Sequence, residues 1–263
     1  MSTLSYAFTD SATMLRRNLR RTLRYPASAA ATIGIPIVFL LLFVYVFGDT
    51  MGAGLVGASG GRGEYLDYIT PGIIVLAVAG AAQGTAISVA MDMSEGIVNR
   101  FRTMAIARVS VLTGHVVGSL IQTMVAMVIV IAFALLLGFS PTANAVDWFL
   151  AAGLLAMITF AMTWLAVALG MVSKNVETAS NLPMPLLLLP FLGSGFVPTD
   201  TMPAAMQWFA ENQPFTPIME TLRGLLMGTP IGDSGVLAVA WSVAIGVGGY
   251  LWAKRLFNRD PTP

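Results

Sequence analysis

The sequence predicts an all-α integral membrane protein, a single domain over 1–263 with six transmembrane helices, an amphipathic helix at the inner interface ahead of them, and short helices in one cytoplasmic loop and one outer segment. Three observations lead there. Of the 263 residues, 56% are hydrophobic and only 10% charged, where a soluble domain carries about a quarter. Uncharged stretches run over 25–48, 68–91, 109–146, 148–173, 178–199 and 234–253, each reaching the roughly 20 residues a helix needs to cross about 30 Å of hydrocarbon. With six spans, the basic residues sort to one side: 12 of the 14 lie in the segments that share a side with both termini, and only Arg62 and Arg223 face the other. The excess of Lys and Arg marks the cytoplasmic side, so both termini are expected inside.

Within 4–24, Leu4, Phe8, Ala12, Leu15, Leu19 and Leu23 fall on one helical arc, and Arg16, Arg17, Arg20, Arg21 and Arg24 on the next. That pattern fits a helix lying on anionic headgroups, ended by Pro26. The alternative is a basic arm that only sets topology. The apolar stretch behind it is too long for a signal peptide and has no small-residue cleavage site, so it reads as an uncleaved first span, 28–48. The glycine-rich outer stretch 49–67 is expected to be a flexible loop, and neither it nor any other segment matches the phosphate-binding pattern G-x-x-x-x-G-K-[ST].

The second span, 69–91, carries Gln83, Thr85 and Ser88 with Gly80 and Gly84 at helix-packing spacing. The third, 112–138, remains one crossing because Pro141, Thr142 and Asn144 mark its exit. The fourth covers 148–172. The fifth, 179–198, contains Pro183, Pro185 and Pro190, each of which removes a backbone donor and breaks or kinks a helix. Irregular backbone at membrane depth is tolerated only when buried or lining a cavity, so Asn181, Met184, Phe191, Ser194 and Phe196 are candidate walls of a substrate path. Gln83, Thr85 and Ser88 are weaker ones. The segment 200–230 reads as two short helices, either dipping into the outer leaflet or lying on its surface, and 235–253 is the sixth span.

Composition excludes several chemistries. With no cysteine and one histidine, the chain has no thiolate nucleophile, disulfide or zinc site. Gly193-Ser194-Gly195 has the look of a nucleophile turn, but His115 falls at the opposite end of the bilayer and no base is within reach. His115 is also the only ionisable candidate read inside a span, so an ion-driven carrier has nowhere to bind its ion.

Between spans two and three, 92–110 is long enough for a helix across the membrane plane. Ile97, Phe101 and Met104 form an apolar stripe beside Arg100 and Arg102, which suits either a knob for a cytoplasmic partner or a snorkelling loop. Here the sequence resembles the permease subunits of type-2 ABC exporters, especially the daunorubicin-resistance-like group. The resemblance rests on Glu95-Gly96-Ile97-Val98-Asn99-Arg100-Phe101-Arg102, closed by Arg108, and on Phe191 to Pro203 followed by Gln213-Pro214-Phe215-Thr216-Pro217. One departure is Ala105, where the family commonly has proline. The resemblance implies a bacterial cell-membrane permease that exports a hydrophobic or amphipathic compound, whether drug, antibiotic or lipid-like. It implies homodimer or heterodimer formation with a related permease among membrane lipids, with no nucleic acid partner. It further implies that 92–108 is a coupling helix docked on a separate cytoplasmic ABC ATPase through Asp92, Glu95, Gly96, Arg100, Phe101, Arg102, Met104 and Arg108, and that 200–230 forms outer re-entrant helices. ATP and Mg would then sit on that partner, with no cofactor bound by this chain and no catalysis of its own. The alternative is an anchoring subunit that recruits the ATPase without forming a path.

Overall fold

The computed structural model describes residues 26–56, 61–95 and 108–258. The 4–24 segment and the loop residues Gly96, Arg100, Phe101, Arg102 and Met104 lie outside them. Described in chain order, the helices are α1 (Pro26–Leu42), α2 (Gly48–Val56), α3 (Arg62–Ser94), α4 (Arg108–Leu136), α5 (Ala145–Val172), α6 (Val176–Asn181), α7 (Met184–Leu188), α8 (Ala204–Asn212), α9 (Phe215–Met227) and α10 (Ser234–Asn258). A π-helical turn at Phe43–Phe47 joins α1 to α2, and 3-10 turns occupy Leu189–Leu192 and Thr199–Thr201. Among the described residues, five helical stretches, Ala31–Leu55, Arg62–Ser94, Leu112–Leu136, Ala145–Val172 and Ser234–Asn258, are long and apolar enough to cross a bilayer. The chain is a multi-pass membrane protein.

Helices α3 and α5 form the centre. Every residue of α3 from Ile69 to Ala79 is buried, as expected of a helix that is apolar all round, and α3 packs on α1, α2, α4, α5, α6 and α9. Helix α5 packs on α3, α4, α9 and α10. The peripheral helices turn apolar side chains outward, among them Val38, Tyr45, Val128 and Val247, a surface that suits hydrocarbon and not water. Close approach at the centre depends on glycine. A Cβ on Gly170 would lie 2.6 Å from the Ala86 carbonyl oxygen, and one on Gly249 would lie 2.6 Å from the Leu165 nitrogen, so small residues let these backbones meet. Gly80 and Gly84 play no such part: nothing approaches a Cβ at Gly84, and only the tip of Leu187 comes within 3.9 Å at Gly80.

Two expectations change. The glycine-rich stretch 49–67 is not mainly a loop, because the first membrane helix continues through the π turn to Val56 and α3 begins at Arg62. Gly52 permits this by letting α2 touch the backbone of Gly61. Arg62 then bonds Asp49 at 2.9 Å and lies over the Tyr45 ring, and Glu64 accepts the Gly61 N–H at 2.9 Å. The fifth span, 179–198, is not one continuous helix. It breaks into α6, α7, a 3-10 turn and the turns through 193–196, because Pro183, Pro185 and Pro190 supply no N–H to continue a helical ladder.

Hydrogen bonds clip neighbouring helix ends together. Ser140 donates through N and Oγ to the Asp67 carboxylate at 2.9 and 2.8 Å, and the Thr142 N–H donates to Leu226 O at 2.9 Å. Asn144 caps α5 by accepting from Val146 and Asp147.

Candidate functional site

The broken segment follows α3 in the opposite direction. Gln83 Nε2 donates to Ser180 O at 2.7 Å, the Tyr68 hydroxyl to Ser194 O at 2.8 Å, and the Tyr65 hydroxyl to Phe196 O at 3.3 Å. From Gln83 to Tyr65 the α3 rise is about 27 Å, so residues 180–196 extend over most of a bilayer's depth. Three α3 side chains thus satisfy carbonyls on or beside the broken stretch, where an unpaired polar backbone group would be costly in lipid.

Helix α9 closes the other side of this segment. Gly195 sits between Gly72 and Met219, with no room for a Cβ on either glycine. Four residues further along α9, Arg223 reaches Tyr68, four residues back along α3, so α9 and α3 run antiparallel in matched register. The Arg223 guanidinium lies 3.9 Å over the Tyr68 ring and donates to Ser194 O at 2.7 Å and to Tyr68 O at 3.4 Å. Thr216 Oγ1 accepts the Ser194 N–H at 3.3 Å, and Gln213 Nε2 donates to Leu189 O at 3.3 Å. Ser194 Oγ is buried with no hydrogen-bond partner among the described residues. Helix α8, by contrast, leaves Trp208, Met206 and Phe209 exposed.

The segment also meets α1 and the π turn through aromatic rings. Phe191 and Phe196 stack at 4.6 Å, Phe43 lies 5.1 Å from Phe196, and Phe39 lies 5.5 Å from Phe191. Phe47 extends the row through Phe43 at 5.8 Å. A π turn is wider than an α turn and is frequent at functional sites. Here it spans the residues that carry two of these rings.

The path candidates therefore divide. Phe191, Ser194 and Phe196 come together on the packed side, and Phe196 is only 4% exposed, so within this chain it is a core ring and offers no wall to a passing compound. Asn181 and Met184 stand exposed on the outer face, continued by Leu188 and Leu192 at fourfold spacing. Gln83 serves the Ser180 carbonyl. Thr85 turns to α4, donating to Ser119 Oγ at 2.9 Å, and does not join the segment. Ser88 is half-buried on α3.

At the C-terminal end of α3, Asp92 differs from its expected place on a coupling loop. Helix α3 continues to Ser94, and Asp92 is buried against His115 of α4, with Oδ2 3.1 Å from Nε2. A carboxylate so enclosed is not presented to a docking partner. Glu95 caps the helix, its N–H donating to Met91 O, and stands exposed. Arg108 opens α4. Sequence reading missed Arg223 and Tyr68, which meets it. The available signal was an arginine inside an apolar helical stretch.

The sequence is similar to those of known proteins. A family model described as ABC-2 type transporter matches residues 10–227. The chain is 29% identical to the daunorubicin resistance ABC transporter permease protein DrrB1 of Streptomyces coeruleorubidus over 224 residues, covering 85% of this chain and 77% of that protein. It is 28% identical to the doxorubicin resistance ABC transporter permease protein DrrB of Mycobacterium tuberculosis over 218 residues, covering 81% and 73%. With the probable doxorubicin resistance ABC transporter permease protein DrrC of the same organism it shares 22% identity over 235 residues, covering 89% and 83%.

Proposed function

The chain belongs to the ABC-2 type transporter family, and from that premise we propose that it is the membrane-spanning permease subunit of a bacterial ABC exporter, moving a hydrophobic or amphipathic compound outward. The energy comes from ATP hydrolysed, with Mg, on a separate cytoplasmic ATPase. The observation that carries this reading is the proline-broken segment 176–198. Its backbone is irregular over most of the bilayer depth, held by α3 and α9 on one side and bare on the other along Asn181, Met184, Leu188 and Leu192. Such backbone is stable in a membrane where protein covers it or where it borders a cavity. The bare face is then the path side, completed by a second permease copy or a related chain, and α8 with α9 is a re-entrant pair in the outer leaflet.

The segment 96–107 serves as the docking loop, with Phe101 as its anchor and Arg100, Arg102 and Glu95 as charged flanks. Its test is reconstitution of the complex with the ATPase in proteoliposomes, followed by paired ATPase and export assays. Phe101→Ala is expected to weaken ATPase association by about 2 kcal/mol, roughly thirtyfold in Kd. Arg102→Ala is expected to keep the complex and lower export per ATP. A complex that hydrolyses ATP and moves none of the compounds that stimulate it would identify an anchoring subunit instead.

The orientation, with both termini in the cytoplasm, has its own test in a chain that contains no cysteine. Single cysteines at Ser59 and Gln207 are expected to react with an impermeant thiol reagent added outside intact cells, while those at Thr103 and Asn258 stay unlabelled. Outside labelling of Thr103 would reverse the topology.

A further inference from the structure

The inner ends of α3, α4, α5 and α10 share a hydrophobic cluster separate from the main core, built around Val89, Leu112, Val116, Trp164, Val167 and Phe257. Beside it lie the buried carboxylate of Asp92 and the imidazole of His115, 2% and 5% exposed, with Oδ2 and Nε2 3.1 Å apart. Their place in the chain is specific. Asp92 is in the last turn of α3 and His115 in the third turn of α4, so the pair joins the two stems on which the 96–107 segment is mounted. One further polar contact, Thr85 Oγ1 to Ser119 Oγ at 2.9 Å, joins the same two helices deeper in the bundle.

We infer that Asp92 and His115 are a positioning pair that holds the two stems in one axial register, so that displacement of the 96–107 segment moves α3 and α4 together. This rests on the reading of that segment as the ATPase-docking loop. Apolar side chains alone allow two helices to slide among packings of similar energy. A carboxylate–imidazole hydrogen bond has narrow distance and angular limits and selects one of them. The arrangement is also costly as mere packing. Both groups have been taken out of water, and His115 Nδ1 is buried with no hydrogen-bond partner among the described residues, a burden that an aliphatic pair of similar volume would not carry. Helix α3 links the pair to the path, since it also holds the broken segment through Gln83, Tyr68 and Tyr65.

The experiment uses the full chain in complex with its ATPase, with Asp92→Asn, His115→Gln, and the exchanged pair Asp92→His with His115→Asp. Two readouts are taken: export per ATP in proteoliposomes, and the distance distribution between spin labels on cysteines introduced at Ser94 and Thr113. The single variants are expected to keep ATPase association, lower export per ATP about tenfold, a typical coupling energy between sites, and broaden the label distribution. The exchanged pair is expected to restore both. Single variants with unchanged coupling and a narrow distribution overturn the inference. So does a loss in the single variants, of assembly or of coupling, that the exchanged pair does not recover, because the site then matters only for packing. If the unaltered complex exports nothing, the exporter reading fails, while the label distances still report whether the pair sets stem register.

Discussion

Replacing Gly72 with valine is expected to remove most folded protein from the membrane. A Cβ at this position would lie 2.5 Å from the Gly195 carbonyl oxygen and 2.9 Å from Gly195 Cα and C. All three are backbone atoms with no side-chain end to yield, and behind Gly195 lies the fully buried Met219 side chain, which would itself have to repack. Overpacking of this kind typically costs about 1–3 kcal/mol. Retreat would also stretch the Tyr68–Ser194 and Tyr65–Phe196 hydrogen bonds, each worth about 1 kcal/mol. The expected total is about 4 kcal/mol, read as a lowered melting temperature and yield on size exclusion in detergent. Gly84→Ala is the matched control: nothing lies within 4 Å of its Cβ position, and substituting alanine for glycine inside a helix is mildly favourable. Normal yield for Gly72→Val would mean that α3 and the broken segment do not meet at this point.

Phe196→Ala and Phe191→Ala are expected to separate, although the two rings stack on each other. Phe196 is 4% exposed and touches both Phe191 and Phe43, so its removal leaves a cavity between α1 and the broken segment, costing about 3–5 kcal/mol. Phe191 is half-buried at the edge of the same row, and its removal is expected to cost about 1 kcal/mol, mainly lost ring contacts. Thermal melts of the purified variants test the difference. Phe191→Ala, which still assembles, is then expected to change which compounds stimulate ATP turnover in the complex. Equal destabilisation by both substitutions, with unchanged compound preference, would make the whole aromatic row a packing feature.

Much of the architecture was legible because the hydrocarbon criterion is local. A run of roughly 20 apolar residues is recognisable without knowing its neighbours, and the long helices α3, α4, α5 and α10 lie where the uncharged stretches are. The prolines at 183, 185 and 190 announced a broken helix, and the candidates beside them, Phe191, Ser194 and Phe196, do converge.

What remained hidden depends on partners distant in sequence. Nothing in 49–61 distinguishes a flexible glycine loop from two helix ends brought together at Gly52 and Gly61. That Phe196 is a core ring follows from Phe43, and that Arg223 is held by Tyr68 and Ser194 follows from the antiparallel register of α9 and α3. Asp92 reads as a loop residue until α4 brings His115 to it. Composition and chain-local pattern therefore determined that this protein lies in the membrane, roughly where it crosses, and where its helices must break. Tertiary structure alone decided which face of each helix is covered, because burial of a ring, a charge or a glycine is set by the side chain or backbone that meets it, and those arrive from as far as 155 residues away.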